Sequence, residues 1–458
     1  MEEVFGASPG VVFAGQAVGR DFFAANARCL RYDLTSLALY LSPAVVYGDF
    51  RPTVPWAGAQ RQSAEIPLQG CGAVAGDGGY GLRDAFLASV ERLLHGRERV
   101  AIALSGGLDS AAILAAVSEV APDRLETGVA VTVDLLSDAG RSAAAEARGL
   151  IAACAPECRH VVTAADGDPA ALRWDPLGPT LNAASSAHVA LCQAAQRHGA
   201  DLLLVGDGAD ELLGTPKFLL RDLLGQGRWR ALARYLGDVR RLAPGRRALA
   251  SELFALLAQG LLPRRLGRRL YFALTWTDLL AEPEVPRILA PDYRQIVADW
   301  TRDWLARQLA EHPVDAGSWA AADRYDSLFP HDVIADGSAI PEASPFLSDP
   351  FAGRAWSLAA ADLFSEGLPT PYQRRKARVV ELIRPDLREH LPAEKATYTT
   401  YFRQQARTGR IDLARSCALG LFVPGEVDAL HERPEVQRLC CAIEAWIRGA
   451  EARGARPA

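Results

Sequence analysis

Lysine is nearly missing from this chain. Only Lys217, Lys376 and Lys395 occur, against 47 arginines. A composition that fills generic basic positions with arginine makes each surviving lysine a candidate for a site that needs a compact ammonium, not a planar fork; chance survival on the surface is the alternative for any one of them. No run of eighteen apolar residues occurs, which excludes a spanning helix. The eight cysteines, Cys29, Cys71, Cys154, Cys158, Cys192, Cys417, Cys440 and Cys441, include no C-x₂-C pair, so zinc and dithiol redox chemistry is not expected and buried or idle thiols are. There are no internal repeats. The net charge of −5 argues against a general nucleic-acid binder. The opening Met1-Glu2-Glu3 has no positive n-region, so a cytoplasmic protein is expected.

What is present is concentrated in two short segments. Ser105-Gly106-Gly107-Leu108-Asp109-Ser110 follows the apolar run Val100–Leu104, and Gly206-Asp207-Gly208-Ala209-Asp210-Glu211 follows Leu202–Val205. The first segment then opens a stretch, Ala111 to Val120, that is apolar almost all round. This reads as strand, tight glycine turn and buried helix, whose outward N–H groups bind phosphate oxygens. The second brings two carboxylates to the end of another strand. Phosphate donors and carboxylates at the strand ends of an open α/β sheet make a site for ATP and Mg²⁺. The first segment is not a Walker loop, because G-x-x-x-x-G-K-[ST] is missing.

Around these segments strands and helices alternate. Strands are expected at Val100–Leu104, Gly128–Asp134, His160–Thr163 and Asp201–Gly206, with helices at 109–120, 141–154 and 185–199 and another from Leu82 to Leu94. That alternation implies an α/β fold with a doubly wound parallel sheet. Gly70 to Tyr80 reads as a linker, which divides a small N-terminal region, 1–80, from a domain over 81–458. The N-terminal region has short strand-like runs such as Val11–Ala14. After Gly214 strand signals vanish, and a helical C-terminal half is expected. The arginine-rich stretch Arg228–Arg247 reads as a solvated helix surface or a peptide contact. The tail, Gly449–Ala458, is expected to fray.

The first segment resembles the pyrophosphate loop of the N-type ATP pyrophosphatases, and the second the acidic loop of their asparagine synthetase branch. The missing C-x₂-C pairs weigh against the sulfur-transferring tRNA enzymes that share the first loop. The resemblance spans residues 33–458. Asp33–Trp56 looks like the end of a truncated glutaminase-like domain, and Glu2 stands where that domain has its nucleophilic cysteine. The resemblance therefore implies an amine already on the substrate. Ser344–Asp349, Thr370–Lys376, Leu391–Thr399 and Glu444–Arg448 are similar to segments of lasso peptide cyclases. On this resemblance Leu104, Ser105, Gly106, Gly107, Ser110, Gly206 and Lys376 would line the ATP. Asp109 and Asp210 would hold Mg²⁺, with a helix N-cap or first-turn acid as the other reading of Asp109. Asp207 would orient or deprotonate the amine, or act as a loop acid behind the site. Lys395 would be the late catalytic lysine, and Lys376 would serve structure or phosphate contact. Ser137-Asp138-Ala139, where relatives have Asp-Glu, and Leu213-Gly214-Thr215, which ends the acidic loop, are departures.

The activity implied is an adenylylating, amide-forming ligase, of which lasso peptide macrolactam formation is the closest reading. Its partners would be a precursor peptide, a leader-binding protein and a leader peptidase, with no nucleic acid and no membrane. An ammonia-dependent asparagine synthetase-like enzyme, a β-lactam synthetase-like enzyme and a peptide-binding pseudoenzyme are the rivals.

Overall fold

The computed structural model describes residues 11–13, 16–18, 20–43, 53–61, 81–166, 174–179, 185–242, 246–276, 284–315, 317–327, 340–348, 351–401, 404 and 411–458. The expected linker, Gly70 to Tyr80, Cys71 and Glu2 lie outside them.

Two small sheets carry the N-terminal part. β1 (Val11–Phe13) pairs antiparallel with β2 (Gln16–Val18). Beyond β3 (Arg31–Tyr32) comes β4 (Ala59–Arg61), the other antiparallel neighbour of β1. The large sheet is built from β5 (Val100–Ala103), β6 (Val129–Val133), β7 (Arg159–Thr163), β8 (Leu202–Leu204) and β9 (Glu342–Ala343), all parallel, in the order β7-β6-β5-β8-β9. Chain order runs from β5 outward through β6 to β7, then returns to place β8 on the other side of β5. The switch point of the topology therefore lies between β5 and β8, where open α/β sheets open a crevice at the strand carboxyl ends. Both sequence segments begin there.

Helices cover both faces. α1 (Leu34–Leu39) belongs to the N-terminal part, capped by Asp33, whose carboxylate accepts the N–H groups of Thr35 and Ser36. α2 (Leu82–Leu94), α3 (Leu108–Val120) and α4 (Ala143–Cys154) pack on one face. α3 is apolar all round because it lies between the sheet and α2, so it has no solvent side to keep polar. α5 (Ser185–Arg197) covers the opposite face, with Cys192, Ala194 and Ala195 against Ala101, Val129 and Leu203. The fold is the doubly wound α/β arrangement that the alternation implies, followed by a helical C-terminal half.

Two expectations fail. Strand signals after Gly214 are absent in the sequence, yet β9 completes the sheet. Two residues are too short to show a period, and β9 is held by its neighbours. Val205 donates to Ala343 O at 3.0 Å, and Glu342 meets His188 Nε2 at 2.8 Å and Cys192 Sγ at 3.3 Å. These three side chains form a hydrogen-bonded cluster behind β9.

The tail is not frayed. The last helix, α14 (Pro434–Ala452), ends in a turn, and β10 (Arg456–Pro457) then runs parallel to β3, with Ala458 N–H on Tyr32 O at 2.8 Å. Trp446 of this last helix packs edge-on to Tyr32 and Trp56, and the ring of Trp174 lies so close to Gly449 that a Cβ there would stand 2.3 Å from it. An aromatic core shared between the two ends of the chain holds the tail in place. No two described cysteines form a disulfide.

Helices that frame the site and the C-terminal half include, in chain order, α6 (Ala209–Leu213), α7 (Trp229–Leu242), α8 (Arg246–Leu261), α9 (Arg264–Thr275), α10 (Pro291–Glu311), α11 (Pro371–Arg375), α12 (Ala377–Leu382), α13 (Ala414–Ala418) and α14.

Candidate active site

The turn after β5 is shaped by close approaches that only glycine allows. Gly106 has φ +79°, and a Cβ on it would lie 2.8 Å from Glu146 Cβ. Its N–H has no partner among the described residues, although the residue is buried. Leu104, buried, ends the strand by donating to Val131 O. Ser105 and Ser110 close the turn: Ser110 Oγ accepts from Ser105 N–H at 3.3 Å and donates to Gly107 O at 3.1 Å, and Gly107 N–H reaches Ser105 Oγ at 3.3 Å. The turn is thus preshaped by its own serines and keeps one buried donor without a partner among the described residues. This is what a phosphate cradle requires.

Across the switch point, Gly206 brings the second loop against the first: a Cβ there would be 3.2 Å from Asp109 Cβ. Gly208, at φ +85°, turns the chain into α6, whose first turn carries Asp210. Asp109 and Asp210 now face each other, and Lys376 lies between them. Its Nζ is 2.7 Å from Asp109 Oδ1 and 2.7 Å from Asp210 Oδ1. Lys395 Nζ approaches the other oxygen of Asp210 at 3.1 Å. Four of the residues singled out in the sequence therefore form one cluster of two carboxylates and two ammonium groups. Asp207 is exposed at the tip of the second loop, and its carbonyl accepts Ser344 Oγ at 2.5 Å. Lys217 lies apart, 3.7 Å from Asp323.

Electrostatics follow from burial and these pairs. Burial pulls the Lys376 pKa down, but the two carboxylates outweigh it and push it up to about 12. Burial also works against ionised Asp210, and the ammonium groups of Lys376 and Lys395 hold its carboxyl below the usual range. At Asp109 burial raises the pKa, opposed by Lys376.

The structure adds residues that reading the sequence left without a role. Tyr372 sits on α11 one turn before Lys376, and its hydroxyl accepts Leu108 N–H at 3.4 Å. Burial, aided by the charge of Asp109, pushes this phenol up to about 12, so it stays neutral. Arg374, also buried, grips Asp238 of α7 through two bonds of 2.6 and 2.7 Å and gives two more to Leu368 O and Pro369 O. It anchors the segment that presents Lys376. Thr215, just past the acidic loop, donates N–H to Arg375 O at 3.0 Å and ties that segment to the second loop.

The segment that carries Lys395 is fastened by Asp138. Its carboxylate accepts from Thr399 N–H at 3.2 Å and Thr400 N–H at 2.9 Å, while its own N–H donates to Thr397 O at 2.7 Å. The Thr400 N–H, with the hydroxyls of Thr400 and Thr397 and the Thr399 N–H, lowers its pKa to about 2. The departure at Ser137-Asp138-Ala139 is thus a clasp. The signal that could have found it is the acid itself, placed where the chain leaves the sheet, but its partners lie some 260 residues away.

The asparagine synthase family model matches residues 81–394, which include both loops, Lys376 and the whole large sheet. The chain belongs to the asparagine synthase family. No curated protein matches it closely enough to refine that assignment. Membership makes it an ATP-using carbon–nitrogen ligase. No described helix is long and apolar enough to cross a membrane. The residues present fit Mg²⁺, because two carboxylates close enough to share one ammonium at 2.7 Å offer a hard oxygen set. Asp109 and Asp210 would hold the ion, which when bound neutralises phosphate charge.

Proposed function

We propose that this chain closes a macrolactam on a lasso precursor peptide in the cytoplasm. The observation that carries the chemistry is the cluster of Asp109, Asp210, Lys376 and Lys395 at the switch point. An Asp or Glu side-chain carboxylate of the peptide attacks the α-phosphorus of ATP, and pyrophosphate leaves over the Ser105–Ser110 turn. Lys376, which keeps its proton, accompanies the departing charge. The peptide's N-terminal amine then attacks the acyl carbon, Asp207 orients that amine and takes its proton, and AMP leaves. Lys395 stabilises the oxyanion. Oxyanion donors in such positions contribute about 3 kcal/mol each. The C-terminal segments similar to lasso cyclases, and the placement of two of the three lysines in the cluster, support this reading over simple amidation. A leader-binding protein and a leader peptidase complete the set of proposed partners.

The test is reconstitution with a candidate precursor peptide, ATP and Mg²⁺. The expected product has lost one water and resists unthreading, with one AMP and one pyrophosphate formed per ring. Pyrophosphate release triggered by free aspartate and ammonia, with no peptide product, would instead mark an asparagine synthetase-like enzyme. A β-lactam product from a small amino acid derivative would mark the β-lactam branch, and peptide binding without turnover a pseudoenzyme.

A further inference from the structure

Residues 228–269, which span α7 to α9, contain eleven arginines, no lysine and two acids, a formal +9 in a chain whose total is −5. Both acids point inward. Asp238 is gripped by Arg374, and Glu252 accepts Phe218 N–H at 2.9 Å and Tyr235 O–H at 2.8 Å. Eight of the eleven arginines are exposed, and none of those eight forms an ion pair among the described residues. A surface helix of this composition would ordinarily lace its arginines with acids at i+3 or i+4. Arg228 pairs with Glu366, which also feels the charge of Arg230, and Arg268 pairs with Asp315; the rest of the positive charge has no acid against it among the described residues.

The outward face of α8 adds a second, independent feature. Ala250, Leu253, Phe254, Leu257, Gly260 and Leu261 are all exposed and carry no charge. Their spacing, i, i+3, i+4, i+7, i+10 and i+11, is a single helical stripe. Leu257 is 58% and Leu261 78% exposed, unusual for leucine on a helix that already buries Ala255 and Ala258 on its inner side. The stripe is about 16 Å long at 1.5 Å per residue, the length of three turns of a partner helix. Small residues stand near each end, where a second helix axis can approach closely. Arg247 lies on the same face one turn before the stripe, and Arg264 and Arg265 follow it at the start of α9.

We propose that this face docks an amphipathic helix of a partner protein whose apolar ridge fills the α8 stripe and whose flanks are acidic. The stripe sets the helical shape of the occupant, and the exposed arginines that flank it, Arg247, Arg264 and Arg265, set its charge. Helix-in-groove recognition reads such anchors at i, i+3, i+4 and i+7, and complementary charge on the rim speeds encounter and rejects basic competitors. The inner side of α8 reaches toward the site through Glu252, which fixes the backbone of Phe218, the chain that leaves the acidic loop. The proposal does not rest on the peptide-cyclising reading.

The test uses the full chain and a synthetic helix-forming peptide with leucines at i, i+3, i+4 and i+7 and glutamates on both flanks. Fluorescence anisotropy should show saturable binding, weakened about tenfold or more by Leu257→Glu and by the pair Arg264→Ser with Arg265→Ser. All three positions are exposed, so the variants should keep the wild-type melting temperature and pyrophosphate release. A lysine-for-glutamate twin and an alanine-for-leucine twin should both fail to bind. Equal binding of either twin, or binding indifferent to Leu257→Glu, overturns the proposal. So does co-sedimentation with phosphatidylglycerol vesicles, but not phosphatidylcholine ones, that the same variants abolish while the peptide stays unbound. Self-association lost in Leu257→Glu would assign the face to a second copy and overturn it as well.

Discussion

Arg374 and Lys376 stand two residues apart, both buried, and they do opposite things. Arg374 has its fork filled: two bonds to Asp238 and two to backbone carbonyls of the same segment. Nothing about it can change without unfolding the segment. Lys376 touches Asp109 and Asp210 with one atom, and both carboxylates keep further oxygen lone pairs toward the crevice. A guanidinium suits partners that are fixed, and an ammonium suits partners that must also serve a third party. The helical half of the molecule is held by the first kind of contact, and the end of the sheet works by the second.

The sharpest break is Asp109→Asn. The change keeps the shape of the side chain and removes its charge from the Lys376 contact and from the expected metal set. Pyrophosphate release should fall more than about 1000-fold, with the melting temperature nearly unchanged, because Lys376 retains Asp210. Near wild-type release would remove Asp109 from the metal set.

Asp238→Asn should do the reverse. It leaves the Arg374 charge buried without its carboxylate, which costs about 3–5 kcal/mol of stability. Arg374→Lys should fail as well, since one ammonium cannot reach Asp238 and the two carbonyls together. Thermal or urea unfolding checks both. A stable Arg374→Lys protein would end the contrast drawn between the two residues.

How much of this was legible in the sequence depends on range. Gly106 and Gly107, Asp109 and Asp210 could be read because each sits next to an apolar run long enough to mark a strand. Lys376 and Lys395 stood out because lysine is scarce, and the structure brings both to Asp210. Strands β5, β6 and β8 were visible, since a buried parallel strand is a continuous apolar run, whereas β7, a half-exposed edge strand, showed only through the β-branched Val161, Val162 and Thr163. Glu342–Ala343 was not, because its strand character comes from Leu203 and Leu204 beside it. Nor was the ordered tail, whose anchor is an aromatic cluster drawn from Tyr32, Trp56, Trp174 and Trp446. Tyr372 lies in plain view between Thr370 and Lys376, yet its role needs Leu108, 264 residues away.

A smaller effect separates Lys395 from the arginines. Both Lys395→Ala and Lys395→Arg should lower product formation by about 100-fold, in line with loss of one oxyanion donor. A guanidinium is too wide to act as a point charge between Asp210 and the reacting carbonyl. An arginine variant within a few-fold of wild type would make Lys395 a generic cation and place it with the surface arginines.

The smallest expected effect tests how Lys395 is held. Asp138 is exposed and touches no lysine. It acts only through Thr397, Thr399 and Thr400, so it is a positioning residue. Asp138→Ala should leave the KM for ATP near wild type, because the turn after β5 does not depend on it, and should lower kcat by roughly fivefold, as expected for an exposed clasp. Asp138→Asn should recover part of that loss, since an amide oxygen still accepts one of the two N–H bonds. The pH dependence has a definite sign. A carboxyl held down to about 2 contributes stability that is present above its ordinary value near 3.9 and is lost as pH falls through about 2. The clasp should therefore be closed at every pH at which the enzyme is assayed, and the kcat ratio of wild type to Asp138→Ala should be flat from pH 6 to 9. A ratio that changes across that range would mean that Asp138 exchanges protons during turnover. An unchanged kcat in Asp138→Ala would shift the fastening of the Lys395 segment to Arg141, whose guanidinium reaches Glu394 beside that lysine.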